Sequence, residues 1–128
     1  MIDFKNKTFF KLKAIDNKEG EKIVSDILIP NEKVFASFGA LRDKLVFTDK
    51  RIISINVQGI TGAKKDFTSI PYSRIQTYSV ETAGTLDLDA ELDITISGLG
   101  TVRFELTNSS NIKEICAKIS DFKLKARF

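Results

Sequence analysis

The sequence predicts a mainly β, α+β domain: an antiparallel barrel of two sheets and seven strands, with a short helix before it and a C-terminal α-helix capping it. Three observations carry this. Between Lys33 and Thr107 apolar residues recur mostly at every second position, the period of a half-buried strand. That region is cut by compact turn signals at Asp49-Lys50, Gly59 to Gly62 and Gly98-Leu99-Gly100. Helical three-and-four spacing occurs on either side of it, at Ile23 to Leu28 and Ile112 to Phe122. Seven short strands must bury one face and manage two edges, and a barrel-like pair of sheets plugged by a helix does both.

At 128 residues the chain is about one domain's worth, and its apolar (42%) and charged (29%) fractions are those of a globular protein. Twenty basic against seventeen acidic residues leave a net charge of +3, too weak a surplus for a dedicated nucleic-acid binder. One cysteine, Cys116, forbids an internal disulfide and fits a reducing compartment. There is no histidine, which removes the commonest general base and the commonest metal ligand together. No apolar run is long enough to cross a bilayer, and the N-terminus lacks the continuous apolar stretch of a signal peptide. The expected location is the cytoplasm, with the inner membrane face as a secondary one.

Residues 1–15 read as an N-terminal arm and residues 16–128 as a single domain, with a helix over 16–29, strands over 33–107 and a helix over 109–123. The arm interleaves Phe4, Phe9, Phe10 and Leu12 with Lys5, Lys7, Lys11 and Lys13. It reads as aromatics packing on the domain or on a neighbouring subunit, and alternatively as a short anchor on anionic lipid. Asp16 followed by Glu19 resembles a capping box, and Pro30 stops the first helix, whose weak point is Gly20.

Val34, Ala36 and Phe38 open the strand region, and Arg42-Asp43-Lys44 turns into the buried run Leu45-Val46-Phe47. Asp49-Lys50 is a two-residue hairpin loop leading to Ile53, Ile55 and Val57. Phe67 and Ile70 mark a strand ending at Pro71, a residue that belongs at a strand start or a sheet edge. Tyr72 to Thr82 is a strand with imperfect alternation, so a bulge is expected there.

The regular pattern Leu88, Ala90, Leu92, Ile94, Ile96 then alternates with Asp87, Asp89, Glu91, Asp93 and Thr95. Pairing Ser97 with Thr101 sets Ile96 against Val102, Ile94 against Phe104 and Leu92 against Leu106. Asn108, Ser109 and Ser110 are N-cap residues for the last helix.

FTDKRIISINVQGITG, TSIPYSRI and YSVETAGTLDLDAEL, together with the Leu28 to Val34 entry into the first strand, resemble the bacterial pleckstrin-homology (PH-like) domain family, formerly a domain of unknown function. The resemblance covers roughly residues 28–122. It implies a PH-like seven-stranded barrel capped by a C-terminal helix, with identical subunits closing into a ring and no established activity or ligand. The basic signature of phosphoinositide-binding PH domains is incomplete: Lys33, Arg42 and Lys44 occupy comparable ground, while the supporting cluster is missing.

Asp87-Leu88-Asp89-Ala90-Glu91 matches a D-x-D-x-E pattern that suits glycosidic carboxylates or a hard-cation site. Period-2 spacing explains it fully as a solvated strand face, or as an acidic strand meeting a basic strand of the next subunit, with Arg74, Lys64, Lys65 and Arg103 opposing it. Gly59-Ile60-Thr61-Gly62 reads as a hairpin loop, since neither a Gly-Lys-Ser/Thr nor a helix follows. Cys116 reads as a buried structural thiol with no base to activate it.

The expected role is a non-enzymatic interaction or scaffold module that self-associates into a homo-oligomeric ring, with no cofactor and no metal; alternatively it is a peripheral binder of anionic lipid or another anionic ligand. Its expected partners are itself and a further protein, with weak membrane-surface contact and no nucleic acid. The candidate subunit-interface residues are Tyr72, Arg74, Gln76, Tyr78, Asp87, Asp89, Glu91 and Asp93. The candidate anion or lipid contacts are Lys5, Lys7, Lys11, Lys13, Arg42, Lys44, Lys64 and Lys65.

Overall fold

The computed structural model describes residues 1–5, 7–82, 84, 89–107 and 111–125. In chain order the elements are β1 (Thr8–Ala14), α1 (Asn17–Val24), β2 (Val34–Gly39), β3 (Asp43–Thr48), β4 (Arg51–Gln58) and β5 (Lys64–Pro71). A 3-10 turn (Tyr72–Arg74) leads to β6 (Ile75–Glu81), β7 (Ala90–Ile96), β8 (Gly100–Thr107) and α2 (Ile112–Lys125). The strands form one sheet in the order β5-β4-β3-β2-β1-β8-β7-β6. Every strand contributes to one apolar cluster, from Phe9 and Leu12 of β1 to Ile70 of β5 and Ile75 of β6, so the sheet wraps around its own core. Helix α2 plugs that core with Ile112, Ile115 and Ile119, each 3% exposed or less. Burial of this kind stabilises by about 1.5–3 kcal/mol per side chain.

The described residues form eight strands where seven were expected, and the additional one comes from the segment read as an arm. β1 lies between β2 and β8, antiparallel to the first and parallel to the second. A register shift between Phe9 and Leu12, with Lys11 at φ 52, lets both apolar side chains face inward although they are three residues apart. That bulge erases the period-2 signature by which a strand is recognised.

A second, smaller cluster lies on the opposite face of the sheet, where Val46, Ile53 and Ile55 meet Val24 of α1. Strands β3 and β4 are therefore covered on both faces, which accounts for their unbroken apolar runs Leu45-Val46-Phe47 and Ile52-Ile53. Helix α1 sits tightly on β2. A Cβ added to Gly20 would lie 1.9 Å from Ser37 Oγ and 2.7 Å from Ser37 Cβ, so the helix's weak residue is the one its packing requires. Asp16 caps α1 by accepting from Lys18 N at 2.7 Å, and α1 ends at Val24 rather than 29; Ile27 and Leu28 still pack beneath it.

The Asp49-Lys50 hairpin and the bulge in β6, between Ile75 and Thr77, form as expected. Other expectations shift. Asp43 and Lys44 belong to β3, and Ala40 to Arg42 make the turn; Tyr72 to Arg74 is a 3-10 turn rather than strand. The β7–β8 hairpin pairs Ile94 with Val102, Leu92 with Phe104 and Ala90 with Leu106, two residues away from the expected register. Leu99 N donates to Ile96 O, and Gly98 and Gly100 take positive φ, which tightens the turn. A slip of two leaves every apolar side chain on the inner face, so hydrophobic alternation alone does not distinguish the two registers. The expected cap at Asn108 to Ser110, and Leu88, lie outside the described residues.

Candidate functional site

The acidic strand is half of a cross-strand ladder. On the outer face Glu81 of β6 stands opposite Glu91 of β7, which stands opposite Glu105 of β8; Ser79, Asp93 and Arg103 form the next row. Arg103 binds Asp93 through two hydrogen bonds, Nε to Oδ1 at 2.8 Å and Nη2 to Oδ2 at 2.9 Å, and reaches Glu91 Oε2 at 3.1 Å. Arg103, expected to oppose a neighbour's acids, is thus engaged by those of its own chain. Glu91 remains under pressure. A hydrogen bond with the Glu81 carboxyl, then burial and the negative charges of Glu81 and Asp93, hold its carboxyl above the ordinary 4.5 against the pull of Arg103. Asp89 is half-buried just before β7, and Asp87 lies outside the described residues.

The remaining interface candidates separate into surface and core. Arg74 and Gln76 are exposed where the chain passes from β5 to β6. Tyr78 is half-buried, its hydroxyl 2.6 Å from Ser120 Oγ of α2. Tyr72 belongs to the core: it is 3% exposed, packs on Phe122 with ring centroids 5.1 Å apart, and its hydroxyl donates to Thr48 O at 2.6 Å. Burial, with Asp49 and Glu32 nearby, pushes its phenol far up. Cys116 is half-buried on α2 rather than fully enclosed.

Structure redistributes the basic candidates. Lys5, Lys7, Lys11 and Lys13 are exposed, whereas Phe4 (7%) and Phe9 (6%) are buried, with Phe9 stacked on Phe104 at 5.3 Å. These two aromatics are committed to the core and unavailable to a bilayer. Lys7 Nζ sits 5.3 Å over the Phe9 ring. Lys13 and Lys44 both pair with Gly39, so they flank it on one face.

Arg42 ties two hairpin tips together, its Nη1 donating to Val57 O at 3.2 Å and Gly59 O at 3.0 Å. Lys44 Nζ donates to Ala40 O beside it. At these joined tips stand Leu41 and Ile60, 91% and 102% exposed. Lys64 and Lys65 follow in exposed positions on β5. Pattern-reading assigned Leu41 and Ile60 no role, because a single apolar residue in a turn gives no periodic signal.

Two further features went unread. Glu32, just before β2, has a fully buried carboxylate that accepts from Thr48 Oγ1 (2.6 Å), Arg51 Nε (2.9 Å), Arg51 Nη2 (2.9 Å) and Ile29 N (3.2 Å). Burial alone would raise its pKa, yet the Arg51 and Thr48 hydrogen bonds, the Ile29 N–H and the Arg51 charge outweigh it, and the carboxyl lies below 4.5. The second is a polar cavity of about 310 Å³ at the barrel mouth, lined by Asp43, Ser54, Asn56, Asp66, Thr68 and Lys7 among others. The Met1 amine pairs with Asp66 there, and Ile2 N donates to Thr68 Oγ1 at 3.0 Å, so the N-terminal residues partly close it. No group of three or more potential metal ligands occurs among the described residues. No described helix is long and apolar enough to cross a membrane.

A family model described as Bacterial PH domain matches residues 3–122. The chain is similar to two proteins of Bacillus subtilis (strain 168). It is 57% identical to uncharacterized protein YjqA over 75 residues, covering 59% of this chain and 60% of that one. It is 29% identical to uncharacterized protein YvbH over 91 residues, covering 67% and 45%. The chain therefore spans less than two thirds of either curated relative.

Among solved structures, a DUF1696 family protein with a pleckstrin-homology domain from Shewanella loihica PV-4 aligns with a TM-score of 0.74 at 36% identity, over 88% of this chain and 97% of that one. A pleckstrin-homology domain from Shewanella amazonensis SB2B aligns at 0.62 and 39%, over 84% and 88%. A PH-domain-containing protein from Exiguobacterium sibiricum 255-15, 20% identical with a TM-score of 0.64 over 88% and 60%, shares the fold.

Proposed function

Because the chain belongs to the bacterial PH domain family, with its PH-like fold, we propose that it is a non-enzymatic cytoplasmic interaction module whose copies join edge to edge into a closed ring. The observation that carries this reading is that the sheet ends in two different edges, β5 and β6. A contact between unlike edges is heterologous, and repeated heterologous contacts close into rings when the rotation allows. The two edges are complementary: β5 begins with exposed Lys64 and Lys65, and β6 ends at Glu81 beside Glu91.

Antiparallel pairing of β5 with a neighbour's β6 sets Lys65 opposite Glu81, Phe67 opposite Ser79 and Ser69 opposite Thr77. All of these are outer-face positions, so the register keeps both inner faces together. An incoming lysine would also relieve the Glu81–Glu91 repulsion. The non-enzymatic part rests on the absence of histidine from the whole chain and on the strand-face explanation of the carboxylates. The test is charge reversal: Lys65→Glu is expected to dissociate the assembly, and Lys65→Glu with Glu81→Lys to restore it. An assembly indifferent to both variants would reject this edge.

A second reading, peripheral docking on an anionic membrane, is favoured by Leu41 and Ile60 standing fully exposed on tips joined by Arg42, with Lys44, Lys64 and Lys65 nearby. Apolar tips among cations suit a headgroup region. Co-sedimentation with vesicles is then expected to rise with anionic lipid and fall with salt, and to be lost in Leu41→Ser/Ile60→Ser. Equal sedimentation of that variant would reject the reading.

A further inference from the structure

A groove of about 540 Å³ runs along the seam between the sheet's two open edges. Its walls come from the end of β5 (Ile70, Pro71), the start of β6 (Ile75), the β7–β8 hairpin (Ile96, Leu99) and Phe4. Ile70 and Ile75 are 1% and 0% exposed and form a fixed apolar floor. The hairpin wall is fixed as well. Gly100 takes φ +131, and a Cβ there would lie 1.9 Å from Phe4 O, so the N-terminal segment is packed directly onto the turn that carries Leu99. Leu99 remains 50% exposed at the groove's rim.

Over this apolar surface stand two cationic side chains, Arg74 and Lys123, and among the described residues no Asp or Glu lines the groove. Arg74 is exposed, while Lys123 Nζ is anchored to Ser73 O at 3.0 Å. Met1 also lines the groove, its ammonium paired with Asp66, and the rest of the lining is neutral: Thr68, Ser69, Ser73, Gln76 and Ser97.

We infer that this groove is a binding site for an amphiphilic monocarboxylate, an aliphatic chain ending in one anionic group. Its volume lies in the range of small-molecule sites, about 300–1,000 Å³, and suits a chain of about ten carbons. The apolar floor gains free energy by removing such a chain from water. A groove lined by cations without acids selects the sign of the head group. The Arg74 guanidinium offers the planar pair of N–H donors that a carboxylate accepts, and Lys123 adds a point charge. The site is separate from the joined tips of Leu41 and Ile60, and it borders the proposed edge contact at Ser69.

The test is isothermal titration of the full chain with decanoate, decanol and decylamine, with circular dichroism to confirm that each variant is folded. Decanoate is expected to bind saturably with a Kd below about 1 mM, and decanol and decylamine at least about tenfold more weakly. Arg74→Gln and Leu99→Asp, both at exposed positions, are expected to weaken decanoate about tenfold or more, and Leu41→Ser to leave it unchanged. The assignment is overturned if decanoate gives no saturable heat, if decylamine binds as well as decanoate, if Arg74→Gln binds like the wild type, or if Leu41→Ser abolishes binding.

Discussion

Replacing Glu32 by alanine is expected to cost about 3 kcal/mol of stability. The carboxylate is fully enclosed and satisfies four donors at 2.6 to 3.2 Å, so its loss strands the Ile29 N–H and two Arg51 N–H groups together, while the Thr48 hydroxyl keeps Arg51 O at 3.1 Å as an acceptor. Breaking one side of a buried ion pair costs about 3–5 kcal/mol. Arg51 is 19% exposed and keeps Ile27 O at 2.6 Å and Ser69 Oγ at 2.9 Å, which places the cost at the lower end of that range.

Urea unfolding followed by circular dichroism measures this as a change in midpoint at constant slope. Protein concentration must be held fixed, since assembly adds to apparent stability. Glu32→Gln retains an acceptor and is expected to lose about half as much. The pH dependence follows from the lowered carboxyl. Its stabilisation is complete above the unfolded value of about 4.5 and is lost as pH falls through the lower folded value. Glu32→Gln should therefore lack part of the acid-induced loss seen in the wild type. A cost below about 1 kcal/mol for Glu32→Ala, or an identical acid profile for Glu32→Gln, would refute the reasoning.

Three further outcomes follow from close contacts and charge. Gly20→Ala, which raises helix propensity, is nevertheless expected to lower stability by about 1–3 kcal/mol because the methyl meets Ser37; thermal melting alone and in a Ser37→Gly background separates the clash from propensity. Gly100→Ala forces a Cβ at φ +131 into Phe4 O and is expected to cost more than about 2 kcal/mol, with increased exchange of the Ile2 amide that bonds Thr68. Glu81→Gln removes the chief cause of Glu91's raised carboxyl pKa, so that pKa is expected to fall toward 4.5, read by NMR titration of the Glu91 side chain.

Alternation was the strongest guide to the fold. The inward Leu92, Ile94, Val102 and Phe104, the Asp49-Lys50 hairpin and the amphipathic α2 were all legible, because each obeys a simple period. β1 was not, since its bulge at Lys11 places Phe9 and Leu12 at a helical interval within a strand. The β7–β8 register slipped by two for a related reason: parity is written in the sequence, whereas the tightness of a glycine turn is written in φ angles.

At the candidate sites, charge signs were legible and their partners were not. Arg103 and Asp93 are ten positions apart, and Glu32 and Arg51 nineteen, so nothing local announces either pair. Tyr72, which the sequence leaves open between a contact aromatic and barrel packing, is held inside by Phe122 of α2 and Thr48 of β3, both remote in sequence.

The central claim is assembly through unlike edges, and native mass tests it most directly. Light scattering coupled to size exclusion at micromolar concentration is expected to give a single species at an integral multiple, three or greater, of the 14.3 kDa chain. Lys65→Glu should reduce it to one chain's mass. A wild-type protein that elutes at 14.3 kDa under these conditions would contradict the account.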